Sequence, residues 1–192
     1  MSALDGLKIS GRPLRGATNG VPQFLLPLYR SGDGISAFSG ALLVPPYSVS
    51  KTLHEEGSLS TFVREGGFCF AFDVFGAPFV LARNGQVDRV DPETREITPC
   101  SANLEDWANR VSASPNHELG AGLASEWQLC HRELLAFERL VPKRPFVMGG
   151  DFVVGNLVPC ELQRALSLYS TLSAQLVGIS NGVTVTVDGW TP

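Results

Sequence analysis

A chain of 192 residues is enough for one domain, and its hydrophobic fraction of 44% allows a core of ordinary size. The formal net charge of −4, without a cluster of Lys and Arg, argues against a nucleic-acid-binding surface. The first residues lack the basic and apolar segments of a secretory signal, and no apolar run approaches the ~18 residues of a membrane-spanning helix. We therefore expect a cytoplasmic protein that has neither nucleic acid nor a membrane as partner.

The first 64 residues carry short, interrupted signals. Pro22 and Pro27 permit only a short helix, because proline fits the first turn of a helix and ends one further along. We expect, in chain order, a loose arm or an edge strand over residues 1–20, a short helix over 21–30, a strand over 35–44, a polar connection over 47–58 and a helical turn over 59–64. Residues 21–192 are expected to form a single domain.

Residues 68–97 give the clearest pattern, which is three short strands joined by tight turns. Phe68, Phe70 and Phe72 alternate strictly, and this predicts that they bury one common face of a strand. Asn84-Gly85 predicts a type I′ hairpin, since both turn positions need positive φ. The Asp91–Thr94 segment has the chemistry of a turn that closes the third strand.

The remaining residues alternate between helical and extended signals. The expected elements are a helix capped by Ser101 with the apolar stripe Leu104, Trp107, Ala108 and Val111, a longer helical stripe from Leu119 to Leu135, strands over 146–148 and 152–158, a helix over 161–176 and a strand over 183–187. Strands and helices occur in clusters with short turns between strands. This favours an α+β fold with a central, mainly antiparallel sheet flanked by helices.

The four cysteines do not suggest a metal site or a disulfide framework. No Cys-x-x-Cys pair occurs among Cys69, Cys100, Cys130 and Cys160, and the sequences around them do not repeat. We interpret them as free, buried thiols in a reducing cytoplasm. No cofactor or metal is expected.

One histidine motif resembles part of an enzyme signature. Zinc deaminases bind their metal with the histidine of His-x-Glu and the two cysteines of Pro-Cys-x-x-Cys. His131-x-Glu133 and Pro159-Cys160 are present, but Gln163 occupies the position of the second cysteine. Because one ligand is missing, we interpret His131 and Glu133 as polar residues at a helix end. The sequence also has no H-E-x-x-H, G-x-S-x-G, P-loop or EF-hand motif, so we expect no catalytic residues and no small-molecule substrate.

The order of short motifs resembles that of the SUKH superfamily, the Smi/Knr-like proteins, over residues 23 to 188. Residues 1–20 match no part of the family pattern. The matching pieces, none of them specific alone, are Leu26–Arg30 before the Gly32–Gly34 loop, the turns Asp73–Gly76 and Asp91–Thr94, the Ser101–Trp107 segment, and a C-terminal block comprising Arg139–Phe146, Met148–Phe152 and Asn156-Leu157.

This resemblance implies a non-catalytic α+β protein. Bacterial SUKH proteins are mostly immunity proteins that bind and neutralise a cognate polymorphic toxin in interbacterial competition, the toxin being encoded by a neighbouring gene. The expected function is therefore occlusion of a toxin's active site. The alternative implied by other members of the family is a non-catalytic regulatory or scaffold module that binds a housekeeping protein.

A partner-binding surface is expected on exposed loops beside the central sheet. Charged and aromatic loop residues are the candidates, since charged loops steer association and aromatic residues and Arg dominate interface energetics. The candidate residues are Asp33, Tyr47, His54, Glu55, Glu56, Asp88, Arg89 and Glu93.

Overall fold

A seven-stranded antiparallel sheet, with its strands arranged in chain order, forms the centre of the molecule. The computed structural model describes residues 2–15, 20–29, 34–179 and 186–192. The strands of the sheet are β1 Arg12–Pro13, β2 Ile35–Ala37, β3 Leu42–Val44, β4 Phe68–Phe72, β5 Pro78–Leu81, β6 Val87–Val90 and β7 Ile97–Ser101. Strands β8 Glu138–Pro142 and β9 Leu157–Glu161 form a separate antiparallel pair.

The helices lie against this sheet and around the small one. They are α1 Ala3–Ser10, α2 Leu26–Tyr29, α3 Tyr47–Glu55, α4 Leu104–Ala113, α5 Pro115–Leu119, α6 Ala121–Cys130 and α7 Leu162–Gln175, with 3₁₀ turns at Gln23–Leu25, Phe146–Met148 and Val154–Asn156. This architecture confirms the predicted single-domain α+β fold with an antiparallel sheet. None of the helices in the described ranges has the length and apolar character required to cross a membrane.

Both faces of the large sheet are buried, because alternate residues of its strands belong to two separate cores. Phe79 and Leu81 pack into a core with Trp107 of α4, whereas Val80, between them, packs into a second core with Tyr169 of α7. Helices α1, α2, α4, α5 and α6 contribute to the first core, α7 contributes to the second, and α3 contributes to both. Strands buried on both sides explain the near-continuous apolar sequences of β3, β4 and β5.

A β-bulge divides the three alternating phenylalanines between these cores. The pairing of β4 with β5 shifts between Cys69 and Ala71, and this extra residue reverses the phase of alternation. Phe68 and Phe70 consequently face the first core, whereas Phe72 faces the second. The expectation of one common phenylalanine face is therefore wrong, although Phe70 and Phe72 are both completely buried.

The chain before β4 departs most from the sequence prediction. Residues 35–44 form two strands rather than one, because Phe38, Ser39 and Gly40 all have positive φ and reverse the chain. The expected polar connection contains α3, whose buried side chains Tyr47, Ser50 and Leu53 recur at helical spacing. Within residues 1–20, the edge strand is present as β1, but α1 was not expected and packs Leu4 and Leu7 into the first core.

Four later expectations also need correction. Gly85 has a φ of +88°, but Asn84 does not have a positive φ, so the turn at Asn84-Gly85 is not of type I′. Asn103, rather than Ser101, caps α4 by accepting a hydrogen bond from the amide of Asp106. Residues 146–148 form a 3₁₀ turn instead of a strand, and the extended residues around them lie in β8 and β9. The 119–135 stripe is broken at Gly120 into α5 and α6, and it ends at Cys130. Residues 183–185 of the last predicted strand lie outside the described ranges.

We expect Phe70→Ala and Phe72→Ala each to lower the free energy of unfolding by ~3–5 kcal/mol, since each removes a completely buried ring and leaves a cavity. Urea unfolding followed by tryptophan fluorescence measures the loss. Phe24→Ala is the matched control, because this ring is 56% exposed and its removal should change stability by less than ~1 kcal/mol. Unchanged unfolding midpoints for the two buried positions would contradict the placement of β4 between two cores.

Candidate functional site

An open cleft of about 740 Å³ lies where β6, β7 and α5 meet the 143–156 segment between β8 and β9. Its walls combine several charged side chains with three phenylalanines. The residues that determine its chemistry are Arg89, Asp91, Glu93, Glu96, Arg110 and Glu118 together with Phe75, Phe146 and Phe152. Two sharp turns, Asp73–Ala77 and Asp91–Glu96, position most of them.

The first turn is organised by the completely buried carboxylate of Asp73. Its Oδ1 accepts hydrogen bonds from the amides of Phe75 and Ala77, both at 2.9 Å, and so closes the turn between β4 and β5. Its Oδ2 forms an ion pair with the guanidinium of Arg89 on β6. This ion pair is the main reason that the pKa of Arg89 is raised. Asp73 therefore fixes both the turn and the orientation of Arg89 in the cleft.

A second arginine lies behind the same turn. Arg139 on β8 is completely buried and donates from Nη1 to the backbone carbonyl of Asp73 at 3.2 Å. The amide of Leu140 also donates to the carbonyl of Val74 at 2.7 Å. Burial lowers the pKa of Arg139 to about 10, partly offset by the charge of Asp73, so the guanidinium is still charged near pH 7. These contacts attach the small sheet to the back of the cleft.

On the opposite wall, Glu118 of α5 neutralises Arg110 of α4. Glu118 is buried, and its Oε1 lies 2.9 Å from Nε of Arg110 and 2.9 Å from Nδ1 of His117. Arg110 also donates to the carbonyl of Cys100 at 2.9 Å, which satisfies an acceptor on the outer edge of β7. The hydrogen bond to Glu118 is the main cause of the raised pKa of Arg110.

The second turn connects the cleft to the 143–156 segment through Glu93. Asp91 Oδ1 accepts hydrogen bonds from the amides of Glu93 and Thr94, which shapes the turn. The buried carboxylate of Glu93 accepts from the amide of Phe146 at 3.0 Å and from that of Val147 at 2.6 Å. Burial raises the pKa of Glu93 to about 7, although both amides act in the opposite direction. Glu93 thus holds the 3₁₀ turn against the sheet.

Phe75, Phe146 and Phe152 form an aromatic cluster, here called the phenylalanine lip, at the mouth of the cleft. The rings of Phe146 and Phe152 stack in parallel at 3.8 Å, and Phe75 meets both edge-on at 5.5 and 6.0 Å. Gly120 permits this arrangement, because its φ is +69° and a Cβ there would lie 2.7 Å from the ring of Phe75. Phe152 is nevertheless 60% exposed, so the lip presents an aromatic surface to solvent.

The residues nominated for partner contact do not form one surface. Arg89 and Glu93 line the cleft, and Asp88 lies beside them, half-buried on β6. Glu55 and Glu56 are exposed at the end of α3, where Glu56 contacts Gln163 at 3.2 Å, and neither lines the cleft. Asp33 lies outside the described residues.

Six of the nominated residues are not on exposed loops, contrary to expectation; Glu55 lies in α3, and Asp88 and Arg89 lie in β6. Tyr47 and His54 belong to α3, and Tyr47 is buried with its ring 5.9 Å from that of Phe68. His54 accepts a hydrogen bond from the amide of Cys69 at 3.0 Å and stacks on Phe68, and its partial burial lowers its pKa. Glu93 is only 4% exposed, which contradicts its expected position on an exposed loop. The observed contacts of Tyr47, His54 and Glu93 therefore stabilise the fold.

The phenylalanine lip was not identified from the sequence. Phe146 and Phe152 flank a Gly149-Gly150 pair inside an apolar segment, a pattern equally typical of a buried strand. Their position became visible only with the contact to Glu93, which lies 53 residues away from Phe146 in the chain. No sequence periodicity encodes a contact of that range.

The thiols and His131 have ordinary structural surroundings. All four cysteines are free; Cys69, Cys100 and Cys160 are buried as expected, whereas Cys130 is exposed, contrary to expectation. His131 follows the last residue of α6, as expected for a helix end, and its ring stacks on Trp127 at 4.5 Å. Within the described ranges, no three His, Cys, Asp or Glu side chains are grouped closely enough to hold a metal ion.

Comparison with known proteins identifies the fold but not a family. No protein-family model matches the sequence, and no curated protein matches it. The crystal structure of Atu4351 from Agrobacterium tumefaciens is similar, with a TM-score of 0.58 over 88% of this chain and 86% of that chain. The two sequences are 14% identical, so this likeness shows a shared fold alone.

We expect Asp73→Asn to lower the free energy of unfolding by about 3 kcal/mol. This is at the lower end of the losses found when a buried ion pair is broken, because the partner side chain, Arg89, is 38% exposed. The amide oxygen can still accept from Phe75 and Ala77, so the loss reports mainly on the missing charge. Asp88→Asn, next to Arg89 on β6, is the control and should change stability by less than ~1 kcal/mol. Equal losses at the two positions in urea unfolding would contradict the central role of Asp73.

Glu93 should make stability depend on pH. Since its pKa is about 7 in the folded protein and about 4.5 when unfolded, its contribution is complete below pH 4.5 and is lost as the pH rises through 7. Glu93→Gln removes this titration. Between pH 5 and pH 8 the wild type should lose roughly 2–3 kcal/mol of unfolding free energy relative to Glu93→Gln. Chemical unfolding of both proteins at the two pH values measures the difference, and parallel pH profiles would contradict it.

Proposed function

We propose that this protein is an immunity protein, a non-catalytic binder that neutralises a cognate bacterial toxin by covering the toxin's active site. The binding surface in this proposal is the cleft with its phenylalanine lip. The order of SUKH-like motifs supports the proposal. Both turns that contribute to that resemblance, Asp73–Gly76 and Asp91–Thr94, build the walls of the cleft.

The observation that carries the proposal is a group of exposed apolar side chains on the 143–156 segment. Val147, Phe152 and Val153 are 47%, 60% and 51% exposed, and they lie close together in sequence beside the cleft. Contiguous exposed apolar surface bordered by charged residues is characteristic of protein-binding sites. Aromatic residues in such a position contribute much of the binding energy of protein interfaces.

The segment that carries these side chains is held rigidly. The amide of Lys143 donates to the carbonyl of Asn156 at 2.6 Å, and the side chain of Asn156 bonds both the amide and the carbonyl of Arg144. Glu93 fixes the 3₁₀ turn from the other side. Because the surface is preorganised, little conformational entropy is lost on binding. A stable interface of ~1,600 Å² would extend beyond the cleft mouth and include its charged rim.

Growth rescue and complex formation test this proposal. The protein is co-expressed with the product of the neighbouring gene in a sensitive strain, and the purified pair is analysed by calorimetry. We expect wild-type protein to restore growth and to form a stable complex. Phe152→Ala should weaken the complex at least tenfold, since it removes an exposed aromatic anchor without emptying a core.

Phe24→Ala is the control, because Phe24 has a similar exposure of 56% and does not line the cleft. Its affinity for the toxin should equal that of the wild type. Failure of the wild-type protein to rescue growth or to bind would refute the immunity function. Equal weakening by Phe24→Ala and Phe152→Ala would refute the assignment of the surface.

A further inference from the structure

The two arginines of the cleft are already neutralised by the protein itself. Arg89 forms an ion pair with Asp73, and Arg110 forms one with Glu118. Both carboxylates are buried and therefore depend on these guanidinium groups for compensation of their charge. Release of either arginine to an anionic ligand would remove the guanidinium that compensates a buried carboxylate, and Glu118 would keep only its contact with His117. The cleft is therefore a poor site for an anion.

The acidic residues of the second turn form no such ion pairs, although the charge of Asp91 contributes to the raised pKa of Arg89. Asp91 and Glu96 line the cleft, are exposed, and form no ion pair with any residue that the structure describes. Glu93 lies between them in the chain, and its carboxylate contacts two backbone amides but no cationic group within the same ranges. Its raised pKa is consistent with burial beside the acidic Asp91 and without a neighbouring cation. The unpaired charge of the cleft is therefore negative.

The phenylalanine lip adds an aromatic surface next to this charge. One face of Phe152 is covered by Phe146, which stacks on it at 3.8 Å with an angle of 7° between the rings. The ring is nevertheless 60% exposed, which leaves the other face accessible. An aromatic face attracts cations through its quadrupole, and this attraction is strengthened when a carboxylate lies on the other side of the cation.

We infer that the cleft binds a cationic side chain of the protein partner, an arginine, between the face of Phe152 and the carboxylates of Asp91 and Glu96. Charge complementarity and the adjoining aromatic face identify this occupant. A guanidinium fits better than an ammonium, because its plane stacks on a ring while its N–H groups donate to a carboxylate. The inference rests on the proposed binding function of the cleft and specifies the chemistry of the partner at that surface.

A pair of short peptides tests the inference without the natural partner. Acetyl-Gly-Arg-Gly-amide is titrated into ¹⁵N-labelled protein, and acetyl-Gly-citrulline-Gly-amide serves as the neutral analogue of nearly the same shape. The arginine peptide should shift the amide resonances of residues 91–98 and 146–153. It should bind at least tenfold more tightly than the citrulline peptide. Equal affinities, or shifts confined to other surfaces such as the end of α3, would overturn the inference.

Variants separate the two parts of the proposed site. Asp91→Asn/Glu96→Gln removes the unpaired charges, while the amide oxygen at position 91 can still accept from Glu93 and Thr94. This double variant should weaken binding of the arginine peptide at least fivefold, and Glu65→Gln, at an exposed position outside the cleft, should leave it unchanged. Phe152→Leu keeps an apolar side chain but removes the aromatic face, and it should also weaken binding. Full affinity in the double variant would overturn the inference.

The same double variant distinguishes this inference from the proposed function. If the wild type binds the toxin and the double variant binds it with equal affinity, the immunity function stands and the arginine site is wrong. If the toxin fails to bind while the arginine peptide binds in a manner that depends on Asp91 and Glu96, the site stands and the immunity function is wrong.

Discussion

The carboxylate of Asp73 is the constraint on which the rest of the cleft depends. It is completely buried, and it is stabilised by two backbone amides of its own turn and by the guanidinium of Arg89. The same turn supplies the carbonyl that receives Arg139 and the carbonyl that receives the amide of Leu140. One residue thereby fixes the end of β4, a cleft-lining arginine on β6 and the position of the small sheet.

The second turn, Asp91–Glu96, connects the large sheet to the exposed surface of the cleft. Glu93 connects the large sheet to the 3₁₀ turn that carries Phe146, and Phe146 supports the exposed ring of Phe152. The exposed apolar surface of the lip is therefore attached to the sheet through a buried carboxylate, whose burial raises its pKa to about 7.

The distribution of charge follows from what is buried. Asp73 and Glu118 are buried and must be compensated, and they bind the two arginines of the cleft. Asp91 and Glu96 are exposed to solvent, which stabilises their charge without an ion pair to any residue that the structure describes. The cleft consequently keeps these two carboxylates outside ion pairs while its arginines are engaged. A small formal net charge of −4 gives no indication of this separation.

Local patterns in the sequence were sufficient to predict the α+β class, the three strands from β4 to β6, the apolar stripe of α4 and the turns at Asp73 and Asp91. Each depends on contacts between residues a few positions apart, such as those from Asp73 to Phe75 and Ala77. The faces of β4 were mispredicted because a bulge, set by pairing with β5, changed the alternation. The cleft required folding, since Arg139 meets Asp73 across 66 residues and Glu93 meets Phe146 across 53, and contacts of that range leave no periodic trace in a single sequence.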